Sequence, residues 1–571
     1  GRGARKKTSR AWNRDALIAE TAKLLAKGQS LLLLGPSGVG KSTVLLDAVR
    51  IVERDHPRSV AEDEELPAEI AKTPRFWRTS AGRLISGMQY LGQWEERCEE
   101  VVRELNGIRG VLCLDNLLDL VRTGGQTAGS GLAAFFGSYL ERSELQLVIE
   151  ATPEQLDACR RLLPGFAEHF RIVDVPEFDA YSAREVLGRL AEHAAQQTKV
   201  AVGEGVVELV YRLFRRFQPY EAFPGKTGAF LRQTFDEAGR AKLPVLETDR
   251  IVERFALQTG VPERFLRDDV LLPWDAVVGE FEKKIIGQSA ACRTAADLVA
   301  TFKAGLNDPH RPLGAYLFCG PTGVGKTELA KTLAAYLFGR ADVKESFVRL
   351  DMSEYAGFGA AERLIMQPDG QPSRLIKQVR RRPFCVVLLD EVEKAAPEVF
   401  DVLLGVFDEG RLTDRFGRTT IFRSAVIIMT SNLGATAKDS LGFDGTTRPS
   451  YEREALGFFR PEFINRLDGI VTFAPLAEHD VLKIAAKELD EIGRREGFVK
   501  ADLKLTWSDA LARQMAREGW DARFGARPLQ RTLERRVVAP LARWLVENPA
   551  IRKRTLRINL DDARNVTIET V

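Results

Sequence analysis

Two short glycine-rich segments carry the residue types that bind phosphate. GPSGVGKS spans 35–42 and GPTGVGKT spans 320–327. In such loops the glycine backbone wraps a phosphate with inward-pointing N–H groups, lysine reaches the outer phosphates, and a serine or threonine hydroxyl ligates Mg²⁺. The sequence therefore predicts two sites for ATP and Mg²⁺, in a first and a second module. Their loop residues are Gly35, Pro36, Ser37, Gly38, Val39, Gly40, Lys41 and Ser42, and Gly320, Pro321, Thr322, Gly323, Val324, Gly325, Lys326 and Thr327.

An acidic pair completes the predicted chemistry of the second module. The apolar run CVVLLD ends in Asp390, and Glu391 follows it. We expect Asp390 and Thr327 to hold Mg²⁺, because carboxylate and hydroxyl oxygens suit this ion. Glu391 is placed to polarise the attacking water.

The first module departs from this pattern at one position. Its apolar run VLCLD ends in Asp115, which we expect to hold Mg²⁺ with Ser42, but Asn116 follows. An amide has no basic lone pair suited to taking a proton from water. We therefore expect hydrolysis mainly in the second module and nucleotide holding in the first.

The apolar runs and the spacing of the loops predict the fold class. Each glycine loop lies between an apolar run and a helix-like segment, which predicts α/β folding with buried parallel strands, repeated in tandem. Helix-like composition after each core predicts a small, mostly helical lid. The predicted domains are a basic leader (1–15), a first core (16–175), a first lid (176–243), a linker (244–273), a second core (274–475) and a second lid (476–571).

Composition limits the class of protein. The chain has 571 residues, a net charge of +3 and 44% hydrophobic residues, values typical of a folded multidomain protein without a general affinity for nucleic acid or membrane. Its six cysteines form no C-x-x-C pair and fall partly within apolar runs, which favours a reducing cytoplasm. Residue 1 is glycine, and the basic start indicates a loose leader or the end of a longer chain.

The second module resembles the second ATPase module of the Clp family. Members of this family are AAA+ protein unfoldases. The resemblance covers about Trp274 to Val571. It is carried by the motifs IIGQ (from 285), GPTGVGKTE (320), DMSEY (351), LLDEVEKA (388), GRLTD (410), MTSNLG (429), FRPEFINRLD (459) and FGARPLQR (524).

The resemblance implies roles for five further residues. Asn432 would sense the γ phosphate, Arg466 would be a finger reaching a neighbour's nucleotide, and Arg527 would be the lid sensor. The alternative for both arginines is an ordinary surface salt bridge. Ile285 and Ile286 would flank the adenine. A guanidinium acting in trans implies a ring, by resemblance a hexamer.

In the first module the resemblance is incomplete. GMQYLGQWEERCEEVV (from 87) resembles a pore-loop segment and places Tyr90 where the family grips polypeptide; the alternative is an ordinary core or surface tyrosine. Thr152 matches a sensor-like position. Glu168 and His169 stand where the family carries arginine fingers, so activation by a neighbour is not expected from these positions. The alternative is that a nearby arginine, Arg160, Arg161 or Arg171, takes that role.

Two features bear on output. The expected second pore loop is shortened, with no aromatic residue between Met366 and Arg382, so threading is expected to be weak or replaced by remodelling. Leu441, Gly442 and Phe443 match an apolar docking loop for a barrel peptidase; the alternative is a loop packed against the module itself.

Three function classes follow. ATP-driven protein unfolding or remodelling is favoured by the second module and Tyr90. A regulatory or scaffolding ATPase is favoured by Asn116, Glu168 and His169. A nucleic-acid motor has the least support, because the basic run at 380–382 is short.

Overall fold

Both modules place their glycine loop at the carboxyl edge of a parallel β-sheet. The computed structural model describes residues 10–55, 74–86, 93–125, 127–218, 222–339, 343–368, 370–414, 417–434, 451–521, 525–561 and 564–570. The chain forms two compact units, Gly1–Arg254 and Phe255–Val571. The finer division into cores, lids and linker stays a prediction.

The first unit contains a five-stranded sheet in the order β2-β3-β4-β1-β5, with every pair parallel. A two-stranded parallel sheet, β6-β7, lies among the later helices. The strands are β1 (Leu31–Leu34), β2 (Arg75–Thr79), β3 (Gly110–Leu114), β4 (Gln146–Ala151), β5 (Arg171–Asp174), β6 (Ala201–Val202) and β7 (Val245–Leu246). The helices are α1 (Asp15–Ala26), α2 (Lys41–Asp55), α3 (Ala81–Leu84), α4 (Gln93–Gly107), α5 (Leu117–Arg122), α6 (Leu132–Glu141), α7 (Pro153–Leu162), α8 (Ala180–Thr198), α9 (Val206–Phe217), α10 (Gly225–Arg240) and α11 (Thr248–Thr259), which includes the division between the units.

The core of the second unit repeats this arrangement. Its sheet has the order β14-β8-β13-β10-β9, again parallel throughout, and β11 and β12 form an antiparallel hairpin. The strands are β8 (Gly314–Cys319), β9 (Phe347–Asp351), β10 (Cys385–Asp390), β11 (Arg411–Thr413), β12 (Thr419–Ile421), β13 (Ala425–Ser431) and β14 (Gly469–Thr472). The helices are α12 (Glu263–Leu266), α13 (Trp274–Glu282), α14 (Ser289–Ala304), α15 (Lys326–Phe338), α16 (Val343–Ser346), α17 (Ala360–Ile365), α18 (Arg374–Arg381), α19 (Pro397–Glu409), α20 (Tyr451–Phe458) and α21 (Pro461–Ile464).

The second unit ends in further helices and a three-stranded sheet, β15-β16-β17, which the sequence analysis did not predict. A π-helical segment at 534–538 joins two of these helices. The elements are α22 (Glu478–Ile492), α23 (Glu496–Ala501), β15 (Lys504–Trp507), α24 (Asp509–Gly519), α25 (Arg527–Leu533), α26 (Ala539–Glu547), β16 (Thr555–Leu560) and β17 (Val566–Thr570).

Apolar composition explains why the central strands are buried. Every residue of β3, β10 and β13 is buried, because helices cover both faces of a parallel sheet. All six cysteines are buried and unpaired, as expected of small core residues. The predicted α/β class with two tandem P-loop cores is confirmed. No helix in the described ranges is long and apolar enough to cross a bilayer.

Candidate functional site

The glycine loop of the second module joins β8 to α15. Gly320, Gly323 and Gly325 have positive φ angles, which residues with a side chain rarely adopt. A Cβ on Gly320 would also lie 2.6 Å from the carbonyl oxygen of Phe473. Glycine is thus required here both by backbone conformation and by close packing. The loop ends at the start of α15, where the helix dipole favours an anion.

Lys326 is 7% exposed and lies inside this loop. Its Nζ donates to the carbonyls of Gly320 and Pro321 and, at 2.9 Å, to Oδ1 of Asn432. Burial lowers the pKa of Lys326 to about 8. The buried amine contacts neutral oxygens, and a bound phosphate would supply the negative charge that stabilises its ammonium form.

Asp390 ends β10 beside the loop and is 9% exposed. The Thr430 hydroxyl, from the adjacent strand β13, donates to Asp390 Oδ1. Arg349, from β9 on the other side, donates to Oδ2 through Nη2 at 2.6 Å. Two neighbouring strands therefore fix this carboxylate. Sequence reasoning missed Arg349, although its strand lies directly before the DMSEY motif.

Glu391 has φ 57°, which is unusual for a residue with a side chain. Its backbone N–H donates to the Thr430 hydroxyl at 3.0 Å, and its carboxylate accepts from Lys394 Nζ. The turned backbone directs this side chain away from the strand, and about a third of it is exposed to solvent. A carboxylate in this position can accept a proton from water.

Asn432 follows β13 and links several parts of the site. Its side chain lies against Lys326, and its backbone N–H donates to Glu393 Oε1 at 3.0 Å. Glu393 is a positioning residue that sequence reasoning did not single out. Its place in the EVEKA segment, with a fixed spacing from Glu391, was the available signal.

A cavity of about 620 Å³ in the second module gathers most of the residues predicted for its site. Arg527, at the start of α25, lines it, and Gly525 lies so close to the glycine loop that a Cβ would be 2.9 Å from the Thr322 carbonyl oxygen. Predicted residues lining the cavity are Ile285, Ile286, Thr322, Gly323, Val324, Gly325, Lys326, Thr327, Asp390, Glu391, Asn432 and Arg527.

Arg466 is placed differently. It follows α21 and is about half exposed, with its Nε 2.9 Å from Asp408 Oδ1 near the end of α19. It is not among the described residues that line the cavity of its own module. In this structure Arg466 therefore forms a surface ion pair outside that cavity, and its role as a finger stays a prediction.

The glycine loop of the first module has the same local geometry. It joins β1 to α2, and Lys41 Nζ donates to the carbonyls of Gly35 and Pro36 at 2.7 and 2.9 Å. Burial lowers the pKa of Lys41. The neighbouring Ser42 hydroxyl donates to Glu150 Oε2 at 2.7 Å.

The acidic edge of the first module differs from that of the second. Arg78 Nε donates to Asp115 Oδ1 at 2.7 Å, and Arg78 Nη2 donates to Ser42 Oγ at 3.3 Å. Burial raises the pKa of the Glu150 carboxyl, which lies beside them on β4. Neither Arg78 nor Glu150 was predicted from the sequence.

Asn116 has a structural function in the first module. Its Oδ1 accepts from the backbone N–H groups of Leu118 and Asp119, capping α5. Thr152 likewise caps α7 and forms a reciprocal pair with Gln155. His169 lies 3.9 Å from Glu141.

A small cavity of about 150 Å³ borders the first glycine loop. Trp12 and Phe178 line it together with Gly38, and the Arg14 guanidinium lies 3.8 Å above the Phe178 ring. These aromatic groups are candidates for contacting a nucleoside base. The sequence analysis did not predict them, because Trp12 stands in an otherwise polar start.

Three predictions lie partly or wholly outside the described residues. They concern the pore tyrosine Tyr90, the docking segment Leu441, Gly442 and Phe443, and most of the basic leader. They stay predictions.

Comparisons with known proteins match both parts of the second module. Residues 311–470 match the family model described as AAA domain (Cdc48 subfamily), and residues 476–558 match the C-terminal, D2-small domain of ClpB protein. The chaperone protein ClpB of Oceanobacillus iheyensis is 29% identical, over 93% of this chain and 73% of that protein. Over nearly its whole length the chain is similar to Clp-family AAA+ ATPases.

Other similar proteins also cover both modules. The ATP-dependent Clp protease ATP-binding subunit ClpC of Staphylococcus epidermidis is 28% identical, over 96% of this chain and 75% of that protein. Among solved structures, the Hsp104–ADP complex of S. cerevisiae matches with a TM-score of 0.77 and 26% identity, over 100% of this chain and 98% of the other. The chain is thus an ATP hydrolase of the AAA+ type.

The hydroxyl and carboxylate oxygens at the two glycine loops fit a magnesium ion whose remaining ligands are phosphate oxygens. In the described part of the chain, no three His, Cys, Asp or Glu side chains are grouped to hold a metal. Mg²⁺ is usually held by one or two carboxylates plus substrate phosphates rather than by an all-protein cage. Thr327 with Asp390, and Ser42 with Asp115, are donor sets of that kind.

Proposed function

We propose that this chain uses ATP hydrolysis, mainly in its second module, to unfold or remodel protein substrates as a ring, most simply a hexamer. The observation that carries the proposal is the cavity that collects Lys326, Asp390, Glu391, Asn432 and Arg527, while Arg466 lies apart from it. A site that lacks its own arginine finger needs a neighbour to supply one.

Each side chain of the second module has one task in this mechanism. Mg²⁺, when bound at Thr327 and Asp390, would neutralise charge that develops on the transferred phosphoryl group. Lys326 and Asn432 orient the phosphates. Glu391 takes a proton from the attacking water. The same carboxylate accepts a hydrogen bond from Lys394, so the water must compete with Lys394 for it.

The names of the relatives support a protein substrate. Hsp104 has been solved with ATPγS and FITC casein, in a structure that matches this chain with a TM-score of 0.71 and 25% identity. The ClpB relatives are named chaperone proteins and the ClpC relative a protease subunit. The proposed unfolding activity could therefore serve either refolding of the substrate or its delivery to a protease.

We infer that Phe358 provides a substrate contact in the second module, where the expected aromatic pore loop is shortened. Phe358 is 96% exposed and stands between Gly357 and Gly359. Its carbonyl accepts from Arg363 Nη1 at 3.0 Å, so the exposed ring sits on an anchored backbone. An aromatic ring held in this way presents a large apolar surface at little entropic cost.

The segment that carries Phe358 is hydrogen-bonded to the connection that follows the proposed base, Glu391. The Tyr355 carbonyl accepts from the Ala396 N–H at 2.9 Å, and Ala396 ends the short connection that begins at Glu391. Movement of that connection during hydrolysis would therefore be transmitted to the segment before Phe358. This link suits a residue that pulls on a polypeptide.

The function is tested with unfolded protein and a Phe358→Ala variant. We expect unfolded protein to stimulate the ATPase of the wild type several-fold, and Phe358→Ala to lose this stimulation while it retains basal ATPase. Phe358→Tyr should restore stimulation. Leu306→Ala, which alters an 80% exposed apolar residue elsewhere in this unit, is the matched control. Equal stimulation of wild type and Phe358→Ala would exclude the contact.

The second candidate is a regulatory or scaffolding ATPase. It is favoured by Asn116, whose side chain caps α5. The first module therefore has no carboxylate base directly after Asp115. In that case nucleotide would switch a partner surface, and unfolded protein would leave the ATPase rate of the wild type unchanged. The same assay therefore separates the two functions.

A barrel peptidase is the partner we propose for the segment Leu441, Gly442 and Phe443. Weak apolar contacts repeated around a ring add by avidity, so loss of every copy should abolish binding. We expect Leu441→Ala with Phe443→Ala to keep ATPase activity and lose co-purification with a peptidase ring. Loss of ATPase or of folding stability would instead assign these residues to the core of the module.

A further inference from the structure

A buried carboxylate in the first module lies at the position of the predicted Mg²⁺ site. Leu114 of β3 pairs with Ile149 of β4, so the next residues, Asp115 and Glu150, emerge side by side at the carboxyl edge of the sheet. Glu150 is only 8% exposed. A carboxylate is costly to bury unless cations or hydrogen-bond donors compensate its charge.

The groups around Glu150 are those of the phosphate loop. Ser42 Oγ donates to Glu150 Oε2 at 2.7 Å, and Arg78 Nη2 lies 3.7 Å from Glu150 Oε1. The same Arg78 holds Asp115 at 2.7 Å. Two carboxylates and the loop hydroxyl therefore converge on one small volume beside Lys41.

The second module shows which of these groups is exceptional. There Leu389 pairs with Met429, so the neighbour of Asp390 is Thr430, whose hydroxyl donates to that acid. The first module carries Glu150 at the corresponding place.

The arginine, in contrast, has a counterpart in both modules. Arg78 pairs with Cys113, and Arg349 pairs with Leu388, in each case two residues before the acid. The modules therefore share the arginine and differ at the residue beside the acid.

We propose that Glu150 is an additional magnesium-holding residue of the first module, acting with Ser42 and Asp115 to retain Mg²⁺-nucleotide. The inference rests on the proposed nucleotide-holding function of this module. A second carboxylate strengthens attraction for a divalent cation and repels nucleotide that lacks one. Its contact with the Ser42 hydroxyl places it at the metal side of the loop.

The arrangement explains how the first module could hold nucleotide without using it quickly. Asn116 is engaged by two N–H groups of α5 and offers no base. Glu150 instead adds negative charge where a cation would sit. Such a site favours retention of Mg²⁺-nucleotide over turnover.

The test measures how strongly Mg²⁺ increases nucleotide affinity at the first module alone. Binding of a fluorescent ATP analogue is titrated on the full chain carrying Lys326→Ala, which disables the second site, with Mg²⁺ and with EDTA. We expect Glu150→Gln and Glu150→Thr to reduce the affinity gain from Mg²⁺ by about tenfold or more. Affinity in EDTA should stay unchanged or increase, because a negative charge near the phosphates is removed.

Asp174→Asn is the matched control, since Asp174 also ends a strand at this edge of the sheet. It should leave the Mg²⁺ dependence as in the parent. Glu150→Thr introduces the residue type of the second module, so a folded variant is available even if Glu150→Gln is unstable. Thermal unfolding checks both.

Three results would overturn the inference. Equal losses with Mg²⁺ and with EDTA would assign Glu150 to packing with Arg78. An unchanged Mg²⁺ effect, with loss of residual hydrolysis, would make it a base instead. Absence of any nucleotide binding at the first module would remove its premise, while the wild-type chain, with its second site intact, would still show substrate-stimulated ATPase.

Discussion

A Glu391→Gln variant is expected to lose ATPase activity by a factor on the order of 10² to 10⁴, the range that a positioned general base contributes. The amide keeps the shape of the side chain but cannot take a proton from water. The lost charge pair with Lys394 is partly exposed, so stability should change by no more than about 1 kcal/mol. Steady-state phosphate release gives the rate, and thermal unfolding confirms folding.

Asn116→Ser is the control for this prediction. Serine preserves the cap of α5, so the variant should fold and should keep most of the ATPase activity. If Glu391→Gln retains most of its turnover, hydrolysis does not depend on the second module in the way proposed here. If Asn116→Ser removes most of the activity, the first module is the main catalyst.

Removal of the Arg466 guanidinium is expected to have the second large effect. Arg466→Ala should lower ATPase by about 10³-fold, and Arg466→Lys should not restore it, because an ammonium cannot match the planar fork of a guanidinium. Arg460→Ala is the matched control, since Arg460 is a similarly exposed arginine paired with Asp401 on α19. Its ATPase rate should stay close to that of the wild type.

A mixing experiment decides whether Arg466 acts on a neighbour. Arg466→Ala and Glu391→Gln chains are each nearly inactive alone. In a ring with head-to-tail contacts, random mixing in equal amounts leaves about one site in four with both groups intact. We expect ATPase to recover toward that fraction, with ring formation followed by light scattering. No recovery in mixed rings, or full activity in a monomer, would exclude action in trans.

Local sequence was sufficient to predict the parts of the site that are contiguous in the chain. A glycine loop, its lysine and its hydroxyl residue lie within eight positions, and their conformation is fixed largely by glycine φ angles and by the following helix. Asp390 and Glu391 could be placed because a buried strand ends at an identifiable residue. The absence of a base at Asn116 was evident for the same reason.

The order of strands could not be read from the apolar runs. Every central strand is buried on both faces, and such runs are interchangeable in hydrophobicity, so they do not specify which strand lies next to which. The three-stranded sheet β15-β16-β17 was missed because its strands are partly exposed and so form no continuous apolar run. The exposure of Phe358 likewise depends on packing around its loop.

The sequence by itself determined that the chain has two P-loop modules. It also determined that only the second module carries Asp followed by Glu at the end of the apolar strand beside its loop. Tertiary structure decided which distant residues meet at those sites: Glu150 beside Ser42, and Glu393 beside Asn432. It also decided that Arg466 lies away from the cavity of its own module. The physical reason is that hydrogen bonds and charge interactions act over a few ångströms, and only strand pairing brings residues far apart in the chain within that range.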